Sequence, residues 1–199
     1  PPISPSLTLR EGESPTLRVR GGRGELSFRI FVGCILLVTI FLFIFSFKTH
    51  LDILRANHQL NLAEALAQNV GVEEAFAAFE KGLLYNAPPV NPNLRRRYAV
   101  IALAYYDAVE KRCGGLSPKC EQLFVSSKKH LTRALELQLE SAAREWPRFT
   151  RNYIYAAQIS HILGDYEASD SYFKKALELS PGRTSINTEW NRLREQRDE

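Results

Sequence analysis

The uncharged apolar run at residues 30–47 constrains this chain more than any other feature of its sequence. It reads IFVGCILLVTIFLFIFSF and lies between Arg29 and Lys48. A helix needs roughly 18–20 apolar residues to cross a bilayer, and flanking basic side chains can extend to the headgroups. A buried core helix would carry a polar stripe, and a cleaved signal peptide would have a shorter apolar region before a small-residue site. We therefore predict an uncleaved transmembrane helix over residues 29–48.

The flanks of this run predict an orientation. Residues 1–28 are rich in Pro, Ser, Gly and Arg without helical spacing, which predicts a disordered tail. Cytoplasmic flanks carry the excess of Lys and Arg. Only Lys48 and Arg55 closely follow the run, whereas five arginines precede it: Arg10, Arg18, Arg20, Arg23 and Arg29. We expect residues 48–199 to be extracytoplasmic. The chain begins with Pro1 and contains no Met, so we also expect it to be part of a longer protein.

The rest of the chain has helical spacing throughout. Apolar residues recur at intervals of three and four, with no strand-like alternation of any length. Gly71 and the prolines of residues 86–92 predict breaks, because proline is excluded from helix interiors. Ser117 followed by Pro118 predicts a capped helix start. After an amphipathic stretch from residue 51 to Gly71, the predicted helices span residues 72–85, 94–112, 118–145, 149–163, 166–179 and 184–196.

A 34-residue period appears near the carboxyl end. Residues 150–183 fit one tetratricopeptide (TPR) unit, a pair of antiparallel helices in which small residues allow close approach and large ones fill the gaps. A segment centred on Phe79 repeats this pattern. The predicted core positions are Ala75, Phe79, Gly82, Tyr153, Ala157, Gly164, Tyr166, Phe173, Ala176 and Pro181.

The predicted fold class is therefore all-α, with a single transmembrane helix followed by a short TPR-like α-solenoid. A generic helical bundle is the alternative. The predicted divisions after the transmembrane helix are a stem with a first TPR-like pair at residues 49–92, a degenerate pair at 93–147, a TPR unit at 148–183 and a capping helix at 184–199.

Solenoids offer a concave groove lined mainly by first helices, which predicts a protein partner bound near Tyr153, Ser160 and His161. Cys113 and Cys120 flank a short turn between two helices. In an oxidising compartment they can form a disulfide, and two free thiols are the alternative.

Arg95, Arg96 and Arg97 begin the third predicted helix and are interpreted as a solvated basic turn or a contact for anionic lipid or glycan groups. Nucleic acid is not an expected partner, because residues 48–199 carry 21 basic and 19 acidic residues. No phosphate loop, metal-ligand spacing or nucleophile motif is present in the sequence. We predict no catalytic residue, metal or cofactor for this chain.

The order of segments resembles the carboxyl-terminal tail of the O-antigen ligase/polymerase family of bacterial membrane glycosyltransferases. The resemblance covers residues 30–199 and rests on the apolar helix leading into IFSFKTHLDILRANHQL, the phrase FEKGLLYNAPPVNPNLRRRYAVIALAYYD, and the closing TPR unit. It implies a non-catalytic appendage at the bacterial inner membrane. A free-standing single-pass scaffold that recruits envelope proteins is the alternative, and a self-contained glycan-active enzyme is disfavoured by the lack of paired carboxylates.

Overall fold

The computed structural model describes residues 23–113 and 117–198, with side chains at residues 30–113 and 117–197. Within these ranges the chain forms seven α-helices and no β-strand, which confirms the all-helical class. The chain divides into two compact units, Pro1–Ser46 and Phe47–Glu199. The helices are α1 (Arg23–Asn69), α2 (Val72–Leu84), α3 (Asn91–Arg112), α4 (Pro118–Arg144), α5 (Thr150–Ile162), α6 (Tyr166–Leu179) and α7 (Thr184–Asp198).

In the first unit, the described residues belong to α1. This helix begins at Arg23, so residues 23–28 are helical although we predicted them as part of a disordered tail. Residues 1–22 of that tail lie outside the described residues. The side chains of residues 30–46 are exposed, and the most apolar 18-residue window has a mean hydropathy of 2.9. The helix is long and apolar enough to cross a membrane.

The second unit contains the later part of α1 and helices α2 to α7. Its helix bounds follow the predicted ones within a few residues, with one informative difference. Helix α3 begins at Asn91 rather than at residue 94, so Pro92 lies inside its first turn. Proline is tolerated there because the first N–H groups of a helix have no intrahelical partner. The predicted cap of α4 is present, since the Ser117 hydroxyl accepts a hydrogen bond from the Cys120 N–H at 3.3 Å.

Each helix from α2 to α7 packs against the next one along the chain, and α5 also contacts both α3 and α7. The larger apolar cluster joins α1 to α5, and its bulkiest fully buried side chains include Phe76, Phe79 and Tyr98. A smaller cluster around Phe173 and Ile186 joins α5, α6 and α7. Complete burial of side chains of this size stabilises a fold by about 1.5–3 kcal/mol each. These two clusters fix the positions of the helices relative to one another within the second unit.

A series of polar contacts that runs from the larger cluster to the surface connects three helices. His130 of α4 shares a hydrogen bond of 3.0 Å with the Tyr98 hydroxyl on α3, and its other nitrogen lies 3.0 Å from Glu73 Oε2 on α2. The His130 ring stacks on Phe76 at a centroid distance of 3.8 Å. The Ser126 hydroxyl donates to Glu73 Oε1, and this bond, with the contact from His130, lowers the Glu73 pKa. The buried Tyr98 hydroxyl and His130 ring are thus paired with each other, as a stable core favours.

Arg95 departs from its sequence-based interpretation as part of a solvated basic turn. Its side chain is only 9% exposed and lies between two carboxylates near the end of α4, 3.2 Å from Glu140 and 3.4 Å from Glu145. The next residue along, Arg96, is half-buried, whereas Arg97 is exposed and pairs with Glu64 of α1 at 2.8 Å. The prediction was wrong for Arg95, because its position on α3 turns it toward α4.

Helix α7 packs against the last helix pair. Ile186 is 1% exposed, and the Trp190 ring stacks on Phe173 at 6.0 Å. The indole N–H of Trp190 donates to Asp170 of α6, and the Arg194 guanidinium lies 3.4 Å from the same carboxylate. Burial alone would raise the pKa of Asp170, but the Trp190 hydrogen bond and the nearby arginines outweigh it and lower that pKa. One carboxylate therefore anchors both an aromatic and a cationic side chain of α7.

Candidate protein-binding groove

A groove lies among α3, α5 and α7, the alternate helices of the second unit. Its cavity has a volume of about 520 Å³, within the range of roughly 300–1,000 Å³ that is typical of ligand pockets. Spacings of three and four residues place one face of α3 along it. Its lining consists of Leu103, Tyr106, Asp107, Glu110, His161, Ile162, Arg192, Leu193 and Gln196.

The two walls of the groove carry opposite charges. Helix α3 contributes Asp107 and Glu110, and Asp107 is paired with Lys111 at 2.7 Å. Helix α7 contributes Arg192, whose guanidinium is held by Glu189 at 2.7 and 3.1 Å. Glu110 is exposed and has no hydrogen bond or ion pair to any described residue. The acidic wall therefore keeps one carboxylate available to a bound cationic group.

The floor of the groove carries neutral hydrogen-bonding groups. Burial lowers the pKa of His161, and the charges of Arg192 and Arg197 lower it further. A neutral imidazole offers one donor and one acceptor at physiological pH. Burial, followed by the negative charge of Glu110, raises the pKa of Tyr106, so its phenol stays protonated. With the apolar floor formed by Leu103, Ile162 and Leu193, this chemistry suits a peptide segment rather than a purely apolar ligand.

The three residues predicted to line the groove have different positions. His161 lines it, and its ring meets Tyr166 edge-on at 5.1 Å. Ser160 is 1% exposed, and its hydroxyl has no hydrogen-bond partner in the described part of the chain, so this residue cannot contact a partner in this conformation. Tyr153 packs in the smaller apolar cluster and donates its hydroxyl to the Pro147 carbonyl at 3.2 Å.

Sequence reasoning missed the α3 and α7 walls of the groove. The α3 residues Leu103, Tyr106, Asp107 and Glu110 do follow the i, i+3, i+4, i+7 pattern of one helix face. This pattern was present in the sequence, but the middle helix pair was interpreted only as degenerate. The proximity of Arg192 had no local signal, because it depends on how α7 packs.

The predicted TPR core positions fall into two groups. Most of the positions within the helices are buried, namely Ala75, Phe79, Gly82, Ala157, Phe173 and Ala176. Tyr153 is half-buried, and the turn positions Gly164, Tyr166 and Pro181 are exposed. A Cβ on Gly82 would lie 3.0 Å from Leu94 and 3.1 Å from Gln59, so glycine permits close approach of α2 to its neighbours. Gly164 has a φ of 86°, a conformation that favours glycine.

Cys113 and Cys120 are joined by a disulfide with a Cα–Cα distance of 5.6 Å. The bond links the end of α3 to the first turn of α4. Residues 114–116, between these helices, lie outside the described part of the chain.

Comparisons with protein-family models, curated proteins and solved structures find no match to this chain.

Proposed function

We propose that this chain is a membrane-tethered, TPR-like module that binds a protein partner in the groove among α3, α5 and α7. The observation that carries the proposal is the groove itself, whose lining combines the apolar side chains of Leu103, Ile162 and Leu193 with hydrogen-bonding and charged groups. Alternate helices that contact each other and form one continuous groove are typical of helical solenoids. Helix α1 supplies the tether.

Photo-crosslinking tests whether a partner occupies the groove. The full chain is expressed in a bacterial envelope with p-benzoylphenylalanine in place of Glu110, which lines the groove and is exposed. The matched control carries the same group in place of Lys174, which is exposed on α6 and does not line the groove. A discrete adduct at Glu110 and none at Lys174 supports the proposal. Equal labelling at both positions, or no adduct at Glu110, refutes it.

We further propose that the module is the non-catalytic tail of an O-antigen ligase-like protein of envelope polysaccharide assembly, at the bacterial inner membrane. Support comes from the sequence resemblance of residues 30–199 and from the direct passage of the apolar helix into the stem. Further membrane helices encoded in frame upstream of Pro1 would support this assignment. A start codon close upstream would instead favour the free-standing scaffold.

A further inference from the structure

We infer that one end of the second unit contacts the headgroup region of an anionic lipid bilayer, independently of the groove. This end carries the connections after α2 and after α4. Its defining residues, which we call the aromatic–basic surface, are Leu84, Trp146, Arg148, Phe149 and Arg151.

Large apolar side chains are exposed on the aromatic–basic surface. Leu84 at the end of α2 is 83% exposed, and Trp146 after α4 is 38% exposed. The Trp146 ring meets Phe149 edge-on at a centroid distance of 5.0 Å, and together with Pro147 these rings line an open apolar depression. Tryptophan is enriched at membrane–water interfaces, because its ring is apolar and its N–H is polar.

Contacts between the connections place them at one end of the unit. Glu145, beside Trp146, lies 3.4 Å from Arg95 in the second turn of α3, and α3 begins just after the connection from α2. Farther along, the Thr150 and Ser180 hydroxyls share a hydrogen bond of 2.8 Å, which brings the connection after α6 to the same end. Leu84, the two aromatic residues and the basic residues beside them therefore lie at the same end of the second unit.

The charge of this end complements an anionic surface. Arg148 and Arg151 are exposed and pair with no carboxylate among the described residues. The carboxylates nearby are already engaged, since Glu140 and Glu145 flank Arg95. Free arginines beside exposed aromatic rings are the composition of interfacial membrane contacts rather than of a typical solvated loop.

Helix α1 contacts this end within the second unit. The Arg55 guanidinium lies 5.9 Å from the Tyr85 ring, which directly follows Leu84. Leu54, beside Arg55, is 65% exposed. Leu54 therefore adds a further exposed apolar side chain near this end of the second unit.

Quenching of tryptophan emission tests the inference, because the chain has only two tryptophans. The full chain and its W146F variant are reconstituted in vesicles of phosphatidylcholine and phosphatidylglycerol brominated near the headgroup end of the acyl chain. The variant leaves Trp190 in its native site on Phe173, and subtraction isolates the emission of Trp146. We expect brominated lipid to remove most of the Trp146 emission and little of the Trp190 emission. Equal quenching of the two, or none for Trp146, overturns the inference.

Charge variants test whether anionic lipid is recognised. Neutralising two basic residues near such a surface should lower the ratio of contacting to detached molecules by about 30-fold. R148Q/R151Q should therefore lose the Trp146 quenching. The matched control R112Q/K119Q removes two exposed charges beside the disulfide, about 30 Å away along α3, and should keep it. Quenching that is unchanged in R148Q/R151Q, or equal in phosphatidylcholine alone, overturns the inference.

Discussion

The three consecutive arginines at the start of α3 should respond very differently to alanine substitution. Arg95 is buried between Glu140 and Glu145, Arg96 has no ion pair among the described residues, and Arg97 forms one surface pair. Removing one partner of a buried ion pair costs about 3–5 kcal/mol, because the remaining charge is left without compensation. Glu140 is 37% exposed and can regain water, whereas Glu145 is 18% exposed and regains less. We therefore expect Arg95→Ala to lower the free energy of unfolding by about 2–3 kcal/mol.

The other two substitutions serve as matched controls. Arg96→Ala should change the stability by less than about 0.5 kcal/mol, as is usual away from specific contacts. Arg97→Ala should cost up to about 1 kcal/mol, the limit for an exposed pair. Thermal unfolding of the full chain in detergent, followed by circular dichroism, measures all three. The Arg95 variant should unfold about 4–12 °C below the wild type. Equal midpoints for Arg95→Ala and Arg96→Ala would refute a buried, paired guanidinium.

The pH dependence of the Arg95 variant provides a second test. Burial raises the pKa of Glu145 above its ordinary value of 4.5, although Arg95 opposes this effect. Without Arg95 the folded-state pKa should rise further. The folded state then binds more protons than the unfolded state, so stability is lost as the pH rises from about 4.5 through the raised pKa. The difference between Arg95→Ala and the wild type should shrink on acidification, and a constant difference would contradict this account.

Three further predictions follow from other contacts. Replacing Cys113 and Cys120 with serine should lower the free energy of unfolding by about 2 kcal/mol, as expected for a short closed loop. In protein expressed in the envelope, a gel-shift alkylating reagent should find both of these thiols blocked. Free thiols at Cys113 and Cys120 would contradict an extracytoplasmic location. Asp170→Asn should speed amide exchange in α7 while sparing α3, and uniform acceleration would refute a local anchor. Tyr98→Phe should lower the free energy of unfolding by about 1 kcal/mol, because it removes the hydrogen bond to His130. An unchanged midpoint of urea unfolding would show that this bond does not contribute to stability.

Local sequence signals predicted the helices well because their causes are local. The Ser117 cap, the spacing of apolar residues and the Gly164 turn each depend on a few neighbouring residues. The position of Pro92 shows the limit of such rules. Three nearby prolines suggested a continuous loop, yet the last one fits the first turn of α3, where its missing N–H has no cost.

The candidate groove could be predicted only in part, because it joins residues far apart in the chain. His161 was expected to line it on the basis of its place in a first helix. Glu110 and Arg192 face each other only after α3 and α7 have packed on α5. The burial of Arg95 has the same origin, since its carboxylate partners are on a different helix. From the sequence alone, a run of three basic residues is interpreted as exposed, because the helix that packs against it is not known.

The packing of α7 has a consequence for how this chain could be lengthened. Helix α7 contacts α5 and α6, just as α5 contacts α3 and α4, although α7 packs less extensively on α6 than α5 does on α4. It thus occupies the place that the first helix of another hairpin would take, and Trp190 meets Phe173 at that junction. A duplicated copy of residues 150–183 inserted before α7 would present the same junction to it again. On the proposed TPR-like organisation, duplication at this point would lengthen the proposed binding groove and leave α7 as its terminus.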